Sequence, residues 1–137
     1  MATLFTRIIE GELPGTFVWK DPDCVGFLSI QPLKPGHTLV VPRAEVDHWL
    51  DCPTELRNHL MAVAAKVGAA IATVWRPARV GLMIAGLEVP HLHIHVSPIW
   101  EVDDLDFSNA TPATRDELED AAARIIAALT AAGHPGL

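Results

Sequence analysis

The stretch Pro90-His91-Leu92-His93-Ile94-His95-Val96-Ser97-Pro98 constrains this chain more than any other. Histidine alternates with an aliphatic residue over six positions. A helix would spread that pattern around its axis, whereas a strand sends successive side chains to opposite faces. The pattern predicts a strand over residues 91–97, with three imidazoles on one face and Leu92, Ile94 and Val96 on the other. The aliphatic face needs a core to enter, and the imidazole face then lines a cleft.

The remaining elements follow from the same kind of patterning. Residues 4–9 read as a short amphipathic helix stopped by Gly11 and Pro14. Residues 17–19 and 25–30 read as two strands joined through Asp21-Pro22-Asp23, a turn sequence. Thr38-Leu39-Val40-Val41 is a third strand between Pro35-Gly36 and Pro42. Pro53 suits the first position of a long helix, with Glu55 in its first turn. Leu56, Leu60, Val63, Val67, Ile71 and Val74 recur at steps of three and four, and Pro77 ends the run. Residues 80–85 form a fourth strand. Thr114 and Glu117 offer a capping box for a last helix over residues 114–132, stopped by Gly133. Strands come in neighbouring pairs, which predicts an α+β domain: a five-stranded antiparallel sheet, a long central helix and an extra C-terminal helix.

With 137 residues, the chain suits one domain over 1–137, its core in 3–100. Half of the residues are hydrophobic and 20% are charged, a globular composition that excludes disorder as the main state. No apolar run reaches the roughly 20 residues of a membrane span, and no secretory signal opens the chain. The expectation is a cytoplasmic protein without a membrane partner. The net charge of -7 repels a phosphate backbone, so nucleic acid is not an expected partner. A small phosphorylated ligand needs only a few local donors. Cys24 and Cys52 have neither zinc-ligand nor disulfide-framework spacing and are expected as reduced thiols.

Three same-face histidines admit several chemistries. Same-face neighbours on a strand stand about 6.6 Å apart, so the outer pair lie about 13 Å apart, too far to share one zinc ion. No nearby Asp, Glu or Cys shows ligand spacing, so neither metal nor cofactor is expected. Histidines on a wet strand face without chemistry are the bland alternative, and a metal site formed by two of them is another. Nucleophilic catalysis fits better. Neutral imidazole is available near pH 7, attacks phosphorus and forms a labile phosphorus–nitrogen bond.

His91-Leu92-His93-Ile94-His95-Val96 resembles the signature of the histidine triad (HIT) family, apart from Ser97 at its last position. Leu4-Phe5 through Ile8-Ile9-Glu10-Gly11-Glu12-Leu13-Pro14 resembles the family's opening helix and turn. Gly26-Phe27-Leu28 through Pro32 and Pro35-Gly36-His37-Thr38-Leu39-Val40-Val41-Pro42 resemble its central segment. The resemblance spans residues 3 to about 98. It implies a homodimer formed through a continued sheet. It also implies hydrolysis or transfer of a nucleoside monophosphate group from phosphoramidates, dinucleoside polyphosphates or nucleotide adducts. By the same resemblance His93 is the nucleophile, His95 contacts the phosphate or leaving group, His91 orients the site through its carbonyl, and His37 completes it. Phe27, Ser29, Gly86 and Glu88 are the positions set against the substrate.

The chain departs from the family pattern at several points. Thr3 and Thr6 stand where many members carry two zinc-ligating cysteines, so no zinc is expected there. Ser29 replaces an acidic or amide residue that binds ribose, Ala85 replaces an asparagine, and Glu88 stands where a small hydroxyl residue is common. These losses motivate a second reading, a nucleotide-binding interaction module with little turnover. His48 and His59 are expected as solvated helix-flank residues, and Trp100 as a packed one.

Overall fold

The computed structural model describes residues 1–134; the last three positions of the expected 1–137 domain lie outside the described residues. Helix α1 (Leu4–Ile9) is followed by strands β1 (Phe17–Lys20), β2 (Cys24–Leu28) and β3 (Thr38–Pro42). Helix α2 (Thr54–Trp75), strands β4 (Arg79–Met83) and β5 (Ile94–Ile99), and helix α3 (Arg115–Ala131) complete the order. The strands form one antiparallel sheet in the order β1-β2-β3-β5-β4. The architecture is the α+β arrangement that the strand pairing of the sequence predicts.

The sheet has two unlike faces. Against one pack α2 and α3, through Leu60, Val63, Val67 and Ile71 of α2 and Ile125 and Leu129 of α3. Leu92, Ile94 and Val96 enter this core, each such side chain contributing about 1.5–3 kcal/mol by leaving water. On the other face, Phe5 of α1 joins Val25, Phe27, Leu39 and Val41 in a smaller cluster. Among the described residues, no helix is long and apolar enough to cross a membrane.

Local chemistry explains the boundaries. The Thr114 hydroxyl accepts from the Glu117 backbone N–H while Glu117 accepts from that of Thr114, the predicted capping box. Pro53 caps α2 and does not begin it. Arg76, with φ 47°, ends α2 in the left-handed region ahead of Pro77. Gly36 has φ 98°, and an added Cβ would lie 2.5 Å from the Trp75 ring. The backbone between Pro35 and His37 therefore requires glycine.

The predicted 91–97 strand is corrected by the structure, because ladder pairing starts at Ile94, opposite Val40. β3 runs on to Pro42, but its pairing with β5 stops at Val40, so His91 and His93 have no ladder partner. The Leu92 N–H instead donates to the Val46 carbonyl at 2.7 Å. The in-and-out alternation of side chains nonetheless persists through this irregular stretch.

Candidate active site

His91, His93, His95 and His37 come together on the sheet face opposite α2. His91 and His93 are buried, and so is His37, with only 1% of its surface exposed. The rings of His93 and His95 meet edge to face at a centroid distance of 4.9 Å, and those of His37 and His95 lie 5.2 Å apart. Phe5 backs both His91 and His93.

Hydrogen bonding fixes which nitrogen of each neutral ring carries its proton. A carbonyl can only accept, so His93 Nδ1–H donates to the His91 carbonyl at 2.7 Å. Its Nε2 therefore keeps a free lone pair. Likewise His91 Nε2–H donates to the Pro42 carbonyl at 2.7 Å, and the Thr3 hydroxyl, 2.6 Å away, donates to His91 Nδ1. The Leu33 backbone N–H donates to His37 Nδ1 at 3.0 Å. His37 must then hold its proton on Nε2, from which it donates to His95 Nδ1 at 2.9 Å. His95 is left with its proton on Nε2. The two adjacent rings thus carry opposite tautomers, an acceptor nitrogen on His93 and a donor nitrogen on His95.

The electrostatics keep these rings neutral. Burial, with His93 nearby, pushes His37 down to about 4. Burial, with His37 and His93 as neighbours, pushes His95 down to about 3. Burial also lowers His93, helped by His91 and opposed by its bond to the His91 carbonyl and by the Glu88 charge. At neutral pH His37, His93 and His95 are uncharged imidazoles.

His93 opens onto a cavity of about 260 Å³, lined also by Asp47, His48, Trp49, Leu92 and residues 84–87. Gly86, with φ 74°, lies in this wall. Ser29 and His37 line a second hollow of about 110 Å³ against Thr111, Pro112 and α3. The Ser29 hydroxyl accepts from the Gln31 N–H at 3.3 Å. Phe27 is buried, edge-on to Phe5, and reaches neither cavity. Glu88 is exposed.

Several contributors are not visible from sequence. Phe107, 43% exposed, lies 4.9 Å from the His95 ring. Asp47, His48 and Trp49 reach the cavity through a short 3-10 turn. His48 is exposed at the start of that turn, as expected of a solvated helix-flank residue, and also lines the cleft wall. His59, expected as solvated, is bonded to Asp21 at 2.8 Å. Trp100, expected to pack, is half exposed. Cys24 and Cys52 are free and buried.

Residues 10–102 match the HIT domain. The chain belongs to the HIT family. It is 34% identical over 104 residues to an uncharacterized HIT-like protein of Methanocaldococcus jannaschii, covering 73% of this chain and 81% of that one. Among solved structures, this HIT chain resembles a zinc-bound histidine triad family protein from Mycobacterium smegmatis. The TM-score is 0.83 at 27% identity, over 97% of this chain and 96% of that one. A HIT family hydrolase from Legionella pneumophila matches with a TM-score of 0.63 at 28% identity, over 70% of this chain and 91% of that one.

Proposed function

We propose that this protein is a hydrolase or nucleotidyl transferase that cleaves a nucleoside phosphoramidate or related nucleotide through a covalent histidine intermediate. The observation that carries this reading is the pair of opposed tautomers at His93 and His95. His93 Nε2 attacks phosphorus while the bond to the leaving group breaks. The positive charge that develops on its ring is met by the His91 carbonyl at Nδ1. His95 Nε2–H donates to a phosphoryl oxygen or the leaving group, and the leaving nitrogen takes up a proton from solvent. Water then breaks the phosphorus–nitrogen bond, which restores neutral His93 and releases the nucleoside monophosphate.

The charge of the cleft favours a substrate with few negative charges. The 260 Å³ cavity has Asp47 in its wall and no lysine or arginine among its described lining residues. A phosphoramidate brings less negative charge than a dinucleoside polyphosphate and meets less repulsion there. The test is turnover on matched panels of both substrate classes. Cleavage of phosphoramidates in preference to polyphosphates is the expected result. Nucleotide binding without turnover on either panel would support the second reading, an interaction module with little activity, which the substitution at Ala85 favours.

Thr3 acts through His91 in this reading. Its N–H donates to Glu45 at 2.7 Å, as does the Thr6 hydroxyl at 2.8 Å, so α1 is pinned beside the triad. Thr3→Val leaves His91 Nδ1 buried without a donor, which should cost about 1–3 kcal/mol of stability. We expect turnover to fall about tenfold, with recovery in Thr3→Ser. Urea titrations and steady-state kinetics of the two variants check both effects.

A second copy of the chain is the proposed partner. β4 is an edge strand, and Leu82 on it leaves 42% of its surface exposed. Trp100 and Val102 beyond β5 add exposed apolar area. An open edge beside apolar side chains invites strand pairing. Light scattering at micromolar concentration should give twice the 14.8 kDa chain mass, and Leu82→Lys should shift the population toward monomer.

A further inference from the structure

On the helix-packed side of the sheet, away from the histidine cleft, three side chains of different chemistry converge. Asp21 and Cys24 come from the β1–β2 hairpin and its following strand, and His59 from the early turns of α2. The His59 Nε2 lies 2.8 Å from Asp21 Oδ2, and the Cys24 thiol donates to the same oxygen at 3.4 Å. One donor atom from each residue falls within 4.8 Å of the others. We propose that Asp21 Oδ2, Cys24 Sγ and His59 Nε2 bind a divalent cation of the zinc class, with water as the fourth ligand.

The distances fit that ion. Bonds of about 2.0–2.3 Å in a tetrahedron hold neighbouring ligand atoms about 3.3–3.8 Å apart. The Asp21–Cys24 separation is already in that range, and the Asp21–His59 pair needs only a small opening. The donor set, one thiolate, one imidazole and one carboxylate, suits zinc and not magnesium or calcium.

The carboxylate is held in place by surrounding donors. Asp21 Oδ1 accepts from the backbone N–H groups of Asp23 and Cys24, both at 2.8 Å. The Trp19 indole N–H donates to Oδ2 at 2.7 Å. Ligating carboxylates characteristically have such outer partners. The Arg43 side chain donates to the Asp21 backbone carbonyl at 2.8 Å, leaving the Asp21 carboxylate to the cation.

Binding has a defined proton balance. The thiol proton leaves to solvent, and His59 ligates through Nε2 with its ring proton on Nδ1. Two negative ligands then offset the charge of the cation, which suits a site where Cys24 is wholly buried. Without the cation, burial and the Asp21 charge hold the thiol protonated. The ion would fasten the hairpin to α2. Sequence spacing gives no sign of this cluster, because His59 stands 38 positions from Asp21 and only the fold unites them.

The experiment is titration of the chelator-treated full chain with Co²⁺. The expected result is a one-to-one thiolate-to-cobalt charge-transfer band with tetrahedral visible bands, both bleached by Zn²⁺. His59→Ala should weaken Co²⁺ binding at least tenfold, and Trp19→Phe about tenfold. Cys24→Ser should remove the charge-transfer band, whereas Cys52→Ser should keep it. Zn²⁺ should raise the urea midpoint of the parent protein and not that of His59→Ala. No charge-transfer band in excess cobalt overturns the proposal. So does a band that survives Cys24→Ser or is unchanged in His59→Ala. If Cys24→Ser fails to fold, the partly exposed His59 decides the matter alone. Cobalt bands without the thiolate transition would place the ion elsewhere, among the cleft histidines, and overturn it equally.

Discussion

Replacing His93 with alanine should lower turnover at least ~10⁴-fold, about 5 kcal/mol in the barrier, while leaving ligand affinity largely intact. The size follows from what is lost. Only His93 combines a place in the wall of the 260 Å³ cavity with an unprotonated Nε2 and a proton fixed on its other nitrogen by a carbonyl. Removing that ring removes the covalent route and enlarges the cavity without introducing charge. His95 stands differently. Its free nitrogen is a donor, because His37 occupies Nδ1. His95→Gln should slow the reaction by the value of one donor to the developing charge, about 2.7–4 kcal/mol, without moving the covalent bond. Rapid quench without acid, followed by mass mapping, locates the nucleotidyl group. An adduct on His91, His95 or a serine, or full activity in His93→Ala, would refute the assignment.

What the sequence discloses here is local, and what it hides is tertiary. The His-aliphatic alternation needs only the geometry of an extended chain, so the sorting of Leu92, Ile94 and Val96 into the core is readable directly. The α3 capping box is set by residues three apart and is equally legible. The irregular backbone at His91 and His93 is not legible, because it depends on a tertiary bond from the Leu92 N–H to the Val46 carbonyl beyond the last β3–β5 pair. The tautomers depend on the Leu33 N–H and the His91 and Pro42 carbonyls. Every residue but proline has these groups, so composition gives no sign of them. Phe107 lies beyond the stretch that carries the family resemblance, and His59 meets Asp21 only after α2 docks on the sheet.

The protein should lose several kcal/mol of stability between pH 7 and pH 5, because His37 and His95 resist protonation when folded. In the unfolded chain each histidine titrates near 6.5, whereas in the fold His37 lies at about 4 and His95 at about 3. The cause is visible in the hydrogen bonds. His37 Nδ1 faces the Leu33 N–H, and His95 Nδ1 faces the proton on His37 Nε2. A second proton on either ring would set two donors against each other inside the fold. Above pH 6.5 both states leave these rings neutral and the stability is complete. Below it the unfolded chain binds protons that the folded one refuses, so stability drains as pH falls through the lowered values. Each such histidine contributes up to about 1.4 kcal/mol per pH unit. Urea titrations from pH 7 to 5 isolate this effect, since Asp21, lowered far below the usual carboxylate range by its hydrogen bonds against the opposing effect of burial, loses its contribution only at more acidic pH. His37→Gln should lower the baseline stability and flatten its pH slope over that interval. An unchanged slope in His37→Gln, or no slope in the parent protein, would show that the paired rings take up protons freely and that the relay from Leu33 to His95 does not hold.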